Sequence, residues 1–103
     1  MNIIDLPIEV RLRQLAEECS ECAKAALKLI RAMNKETPIS EDQARADLVE
    51  EIADVSVCIT ALSDIALPKE ICEIIARKAS RWEERINDKT GSGPAYTKFT
   101  DNV

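Results

Sequence analysis

The sequences EECSE at residues 17–21 and EEIAD at residues 50–54 are the two stretches that decide the fold and its chemistry. Each contains a pair of carboxylates three residues apart, and residues i and i+3 are neighbours on a helix surface. Two such helices facing each other would bring like charges together, which destabilises a fold unless a cation lies among them. We therefore predict a divalent-cation site with the ligands Glu18, Glu21, Glu51 and Asp54.

The residues around the first acidic stretch predict one long helix. Asp5 is its expected N-cap, Pro7 suits the first turn, and no helix-breaking residue follows before Met33. Apolar residues recur with the helical period at Leu12, Leu15, Cys19, Cys22, Ala26, Leu29, Ile30 and Met33. Glu18 falls on this apolar stripe, where a carboxylate is rare unless it is paired or binds a metal.

A second helix is expected around the second acidic stretch, from residue 41 to about residue 66. Asn34 is expected to take the left-handed conformation that ends the first helix, and Ser40 and Gln43 have the spacing of a capping box. The apolar stripe of this helix is Leu48, Ile52, Val55, Ile59, Leu62 and Ile65. Glu51 lies on the apolar side, so the same anomaly occurs in two consecutive helices.

A third helix is expected over residues 68–87, because Pro68 ends the second helix and suits a first turn. Its expected buried face is Ile71, Ile75, Ala79, Trp82 and Ile86, and its basic row is Lys78, Arg81 and Arg85. The predicted fold is an all-α helical bundle of three main helices, with a helical domain at residues 1–90 and a short C-terminal tail at 91–103. Because a chain of 103 residues builds only a small core, we expect dimerisation to complete a four-helix-type core.

The composition excludes several classes of protein. Hydrophobic residues make up 46 % of the chain and charged residues 32 %, a balance typical of globular proteins. The formal net charge of −5 argues against binding to a nucleic acid polymer, which requires a basic face. The N-terminus lacks the features of a secretory signal, and no apolar stretch is long enough to span a membrane. We therefore expect a cytoplasmic protein.

The four cysteines are expected to be reduced, as cytoplasmic cysteines usually are. Cys19 and Cys22 form a C-x-x-C pair, which is half of a zinc site, but such pairs usually lie on a tight turn and this one lies in mid-helix. Cys58 and Cys72 do not repeat the spacing, and the chain has no histidine. We expect the cysteines to be small buried apolar residues.

Together, the two acidic stretches resemble the signature E-E-x-x-E … E-x-x-D of the MazG-like all-α nucleotide pyrophosphohydrolases, whose relatives include dimeric dUTPases and phosphoribosyl-ATP pyrophosphatases. The resemblance covers roughly residues 10–87. It implies a helical bundle assembled as a homodimer or homotetramer. It also implies hydrolysis of a nucleoside triphosphate, ribo- or deoxyribo-, to the monophosphate and pyrophosphate, with Mg²⁺ as the cofactor and Mn²⁺ as a substitute.

The resemblance further implies roles for individual residues. The implied metal ligands are Glu18, Glu21, Glu51 and Asp54, and the implied phosphate-binding residues are Lys78, Arg81 and Arg85. Glu17 and Glu50 stand one residue before ligand positions, so they are candidate catalytic groups that orient ligands or accept a proton from water. Cys58 departs from the family, which often has tyrosine at this position.

Other readings of the same residues remain open. A ferritin-like di-iron bundle would need Glu-x-x-His pairs, which a chain without histidine cannot supply. A helical adaptor would use its acidic residues only for solubility and its apolar stripes only as an interface. A nucleotide-binding regulator would keep the fold and the Mg²⁺ but not turn over its ligand.

Overall fold

A computed structural model describes residues 1–90 of the chain, and these residues form three long helices. The helices are α1 (Ile8–Met33), α2 (Glu41–Thr60) and α3 (Pro68–Thr90), and a short 3-10 turn (Ile3–Asp5) precedes α1. No strand occurs in this part of the chain. The predicted all-α class is therefore confirmed, whereas completion of the core by dimerisation stays a prediction.

The chain divides into two structural units, Met1–Ala66 and the part that begins at Leu67. In the first unit α1 and α2 pack against each other, and α3 belongs to the second. None of the helices within residues 1–90 has the length and apolarity needed to cross a bilayer. The predicted tail, residues 91–103, lies outside the described residues.

A seam of residues spaced alternately four and three apart lies along each helix of the first unit. Its α1 members, all buried or half-buried, are Arg11, Leu15, Glu18, Cys22, Ala25, Leu29 and Ala32. Its α2 members are Ala44, Leu48, Glu51, Val55 and Cys58, and Leu62 continues the spacing beyond the helix. This seven-residue repeat is typical of helices that pack side by side at a shallow angle. Each helix therefore has one glutamate in its seam.

Arg11 sets the register between the two helices. Its buried guanidinium donates from Nη1 to the carbonyl oxygen of Ala61 at 2.9 Å and to Oδ1 of Asp64 at 2.6 Å, and from Nε to the carbonyl oxygen of Leu6 at 3.0 Å. These bonds join the first turns of α1 to the residues just after α2, so the two helices are antiparallel. The hydrogen bond from Arg11 lowers the pKa of Asp64.

The second helix ends at Thr60, six residues before the predicted end near residue 66. The carbonyl oxygen of Ala61 accepts from Arg11, and the backbone N–H of Ile65 donates instead to Leu62 at 2.9 Å. A contact from α1, fifty residues away in the sequence, thus accompanies the change from helix to tight turns. Local sequence carries no signal for such a contact, so the prediction was wrong here.

The ends of α1 also differ from the prediction. Pro7 is the N-cap, whereas the carboxylate of Asp5 accepts from the backbone N–H of Asn2 at 2.9 Å within the preceding turn. At the other end Lys35 takes the left-handed conformation with φ of 58°, and Asn34 does not. The backbone hydrogen bonds that end this helix require a left-handed residue one position beyond the C-cap. That residue is Lys35, which explains why Asn34 does not take this conformation.

The start of α2 is as predicted, with one difference in the cap. The hydroxyl of Ser40 accepts from the backbone N–H of Gln43 at 3.1 Å. The side chain of Gln43 does not reach back to the cap but donates to Asp47 at 2.9 Å. Ser40 is therefore a side-chain N-cap without the reciprocal half of the capping box.

The predicted apolar stripes are only partly buried. Several of their members are exposed: Leu12, Cys19, Met33, Ile52, Ile59 and Ile65 in the first unit, and Ile75, Ala79 and Trp82 on α3. The seam instead uses small residues such as Ala25, Ala32 and Ala44, which lie one position from the larger apolar ones or on another face. Small side chains at a seam let two helices approach closely, and the exposed members of the predicted stripes lie beside this seam.

We expect Arg11→Met to lower the free energy of unfolding by about 2–3 kcal/mol, because a hydrogen bond to a charged group contributes about 1.5–3 kcal/mol. Urea denaturation measures this, with Arg13→Met, an exposed position on the same helix, as the control.

Asp64→Asn should also lower the free energy of unfolding near neutral pH. Folding lowers the pKa of Asp64. The stabilisation by its carboxylate is therefore complete above the ordinary pKa of an aspartate and is lost as the pH falls through the lowered pKa. Equal stability of Arg11→Met and wild type would contradict the proposed anchor.

Candidate metal centre

Three of the four predicted metal ligands meet at the seam. One carboxylate oxygen each from Glu18, Glu51 and Asp54 lies within 4.8 Å of the others. Glu18 comes from α1, and the other two come from successive turns of α2. The antiparallel register set by Arg11 brings these turns together, so this cluster depends on the anchor at the end of the hairpin.

Glu21, the fourth predicted ligand, lies at the edge of this cluster. Its Oε1 accepts from Nζ of Lys24 at 3.4 Å, and both side chains are exposed. Its charge nevertheless contributes to raising the pKa of Glu51. The structure therefore places Glu21 beside the close group of three carboxylates, and its role as a ligand stays a prediction.

The carboxylate of Glu51 has an unusual environment. Its Oε2 is buried and has no hydrogen-bond partner among residues 1–90. Loss of water around the group raises the pKa of Glu51, and the negative charges of Asp54, Glu18, Glu21 and Glu50 raise it further, in that order. A buried oxygen without a donor, surrounded by like charges, is a position that a cation would stabilise.

The other carboxylate of the seam is held by a neighbour on its own helix. Nε2 of Gln14 donates to Oε1 of Glu18 at 2.8 Å, one helical turn away. A hydrogen bond of this kind restricts the rotation of a carboxylate and orients it, as partners behind metal ligands commonly do. Gln14 had no assigned role in the sequence analysis.

The donor set fits a hard divalent cation. All three clustered groups are carboxylates, which Mg²⁺ and Mn²⁺ prefer as ligands, and two of them are half-buried. The buried Oε2 of Glu51, which has no hydrogen-bond partner among residues 1–90, is an oxygen that could act as a ligand.

A cavity of about 400 Å³ lies beside the carboxylate cluster, between α1 and α2. Its α1 side carries Lys24, Lys28 and Arg31 together with Glu21, and its α2 side carries Asp47, Glu50 and Glu51. The three cations follow the spacing i, i+4 and i+7, which places them on one helix face. The α1 wall therefore has a net positive charge, with Glu21 at its end, and the α2 wall is acidic.

The two candidate catalytic glutamates have different surroundings. Glu50 lines the cavity, and its charge contributes to raising the pKa of Glu51. Glu17 is exposed on α1, outside both the cavity lining and the carboxylate cluster. The geometry thus favours Glu50 of the two, and the catalytic role of each stays a prediction.

The predicted basic row lies in the other structural unit. Its residues are exposed on α3 and are Lys78, Arg81 and Arg85. Their assignment to the phosphates remains an expectation from the resemblance.

All four cysteines are free in the structure, and only Cys58 is buried. Cys19 and Cys72 are exposed and Cys22 is half-buried, so the expectation that all four pack in the core was wrong. Burial raises the pKa of Cys58, and the nearby charges of Glu18 and Asp54 raise it further. Cys58 therefore stays a neutral thiol of low reactivity behind the cluster.

Sequence reasoning missed the basic residues of α1. A signal for them exists, because Lys24, Lys28 and Arg31 continue the helix from Glu21 at helical spacing. Their position beside the cluster depends, however, on the pairing of α1 with α2, which no local pattern specifies.

Comparison of the chain with protein-family models, curated proteins and solved structures gave no match. Membership of the MazG-like enzymes therefore stays a prediction that depends on the acidic signature.

We expect Glu51→Gln to be at least as stable as the wild type in EDTA at neutral pH, because it removes a charge from a repulsive cluster. The pKa of Glu51 is raised on folding, so the folded state binds the proton more tightly. The wild-type free energy of unfolding should then fall as the pH rises from 4.5, the ordinary pKa of a glutamate, through the raised pKa of Glu51. The substitution should remove this pH dependence.

Chemical denaturation at a series of pH values in EDTA measures this effect. Glu9→Gln, an exposed glutamate in the first turn of α1, is the matched control and should keep the slope. A marked loss of stability in Glu51→Gln at neutral pH would show that the carboxylate has a stabilising partner, contrary to the geometry.

Proposed function

We propose that this protein is a Mg²⁺-dependent nucleoside triphosphate pyrophosphohydrolase, which converts an NTP or dNTP and water to a monophosphate and pyrophosphate. The observation that carries the proposal is the buried, unpartnered Oε2 of Glu51, whose carboxylate clusters with those of Glu18 and Asp54. These three residues occupy positions of the acidic signature. The resemblance and the geometry thus point to the same groups.

Electrostatics favour a cation over a structural role for the cluster. Three carboxylates within 4.8 Å repel one another, and half-burial of two of them weakens the screening by water. An acidic group kept only for solubility would gain from full exposure on the outer face of a helix. Glu18 and Glu51 instead occupy seam positions, where an apolar residue would pack better.

When bound, Mg²⁺ supplies neutralisation of phosphate charge and a water of lowered pKa. Hydrolysis at the α-phosphorus forms a bond to the water oxygen and breaks the bond to the bridging oxygen of the leaving pyrophosphate. The attacking water must lose a proton, so an acceptor is needed near the ligands.

The chain offers Glu50 as that acceptor. It lies at the edge of the cavity next to a ligand position, and its carboxylate is exposed enough to exchange the proton with solvent. Gln14 holds Glu18 in orientation through the hydrogen bond to Oε1. Glu17 stays the second candidate for orienting a ligand or accepting the proton.

A second candidate function is nucleotide binding without turnover, and the environment of Cys58 favours it. Relatives often have tyrosine at this position, whereas here a buried neutral thiol lies near the charges of Glu18 and Asp54. A thiol is a weak hydrogen-bond donor compared with a phenol. A site that needs that donor for the reaction would bind its ligand and not hydrolyse it.

Release of pyrophosphate from a panel of standard and modified NTPs tests the function. We expect activity with Mg²⁺, reduced or altered activity with Mn²⁺, and none in EDTA. Asp54→Asn and Glu51→Gln should each lower kcat by about 100-fold or more, in line with loss of a ligand or of charge stabilisation in the transition state. Thermal unfolding should show that Mg²⁺ raises the Tm of the wild type and not that of Asp54→Asn.

Glu9→Gln is the control and should retain wild-type kinetics. Activity in EDTA, or full activity of Asp54→Asn, would refute the metal site. A rise in Tm with Mg²⁺ and NTP but no pyrophosphate from any substrate would favour the binding protein over the enzyme.

The protein is further proposed to be a cytoplasmic homodimer or homotetramer. An exposed apolar row beside the seam on α2 supports this: Val49, Ile52 and Ile59 are 61 %, 50 % and 44 % exposed. Apolar residues in a row at helical spacing are typical of an interface. A second copy that covers this row would supply the further helices of a four-helix-type core.

Sedimentation velocity tests the assembly. We expect wild-type protein to sediment as a dimer or larger species, and Ile52→Glu to sediment as a monomer with unchanged helicity by circular dichroism, because an unpaired charge in an apolar interface is costly. A wild-type monomer at all concentrations would refute the assembly.

A further inference from the structure

We propose that Lys24, Lys28 and Arg31 of α1 bind the phosphate chain of the substrate, in the cavity between α1 and α2. The inference is built on the proposed function, which supplies the metal-bound polyphosphate as ligand. It assigns the phosphates to a surface other than the basic row of α3. The resulting site lies entirely within the first structural unit.

The position of the three cations supports the assignment. They line the same cavity as Glu51, and they extend from the edge of the carboxylate cluster along one face of α1. Seven residues of helix separate Lys24 from Arg31, which is about 10 Å along the axis. Cations spread over this length suit a chain of two or three phosphates better than a single anion.

The charge pattern of the cavity suits a metal–polyphosphate and not a free anion. Three cations and the carboxylate of Glu21 lie along α1, whereas Asp47, Glu50 and Glu51 lie along α2. A free anion would be repelled by the acidic wall. A polyphosphate that carries a divalent cation has both charges and can place the metal toward the carboxylates and its oxygens toward the cations.

Two of the three cations are available for a ligand. Lys24 pairs with Glu21 at 3.4 Å on the exposed surface. For Lys28 and Arg31, no ion pair is formed with any residue in the described range. Lys28 is half-buried at the cavity wall, where a cation loses part of its hydration and gains from an anionic partner. Lys28 and Arg31 are therefore the residues to test.

Titration calorimetry with inorganic tripolyphosphate and Mg²⁺ tests the site without a base or turnover. The double variant Lys28→Gln/Arg31→Gln should lose about tenfold or more in tripolyphosphate affinity, since each cation makes charge-assisted hydrogen bonds. Its affinity for Mg²⁺ alone should be unchanged or higher, because positive charge near the carboxylates has been removed. A merely structural defect would lower both affinities.

Two controls make the result specific. Arg13→Gln removes an exposed cation of α1 outside the cavity and should bind tripolyphosphate like the wild type. Lys78→Gln/Arg81→Gln/Arg85→Gln tests the alternative on α3. The inference is overturned if the α1 double variant keeps wild-type affinity, or if only the α3 variant loses it.

The outcome is separable from that of the proposed function. If no NTP is hydrolysed but tripolyphosphate binding depends on Lys28 and Arg31, the phosphate site stands and the enzymatic activity falls. If NTPs are hydrolysed and the KM of the α1 double variant is unchanged, the activity stands and the phosphate site falls.

Discussion

The hydrogen bonds from Arg11 to the end of α2 are the constraint on which the site depends. A seam with a seven-residue repeat can pair in more than one register, because a slip of seven residues again places seam residue against seam residue. Such a slip would still place apolar residues against apolar residues, yet it would separate Glu18 from Glu51. Arg11 meets its acceptors in one register only. The chemistry of the middle of the hairpin is therefore set at its end.

The carboxylate cluster places a repulsive group inside this packing. Uncharged residues of the kind found at Ala25 and Cys58 would fill the seam without electrostatic cost. Glu18 and Glu51 instead interrupt it, one on each helix, at positions that lie close together. In the proposed function, a cation between these carboxylates would offset their repulsion. The three cations of α1 beside the cluster would in the same way balance the phosphate oxygens of the proposed ligand.

Much of this was predictable from the sequence, and the failures have physical causes. The three helices, the cap at Ser40 and the meeting of Glu18, Glu51 and Asp54 follow from local periodicity and from paired carboxylates. Ile52 and Ile59 were predicted to lie in the core but are exposed. The pattern of apolar residues shows that a helix has a hydrophobic face, but it does not specify which side of that face contacts the neighbouring helix. The early end of α2 involves Arg11, a contact between distant residues. Lys35 takes a conformation that favours glycine or asparagine, because the closing bonds of the helix end require it there.

The seven-residue seam also limits how the length of the chain can vary. Adding one residue between Arg11 and Glu18 would turn the glutamate about 100° around the helix and away from its partners. A whole number of seam repeats would have to be inserted in both helices to restore the cluster. Insertions and deletions within α1 and α2 should therefore be tolerated far less than substitutions at their outer positions. Length variation among functional versions of this hairpin is best accommodated in the loop between α1 and α2, before α1 or beyond Ala66.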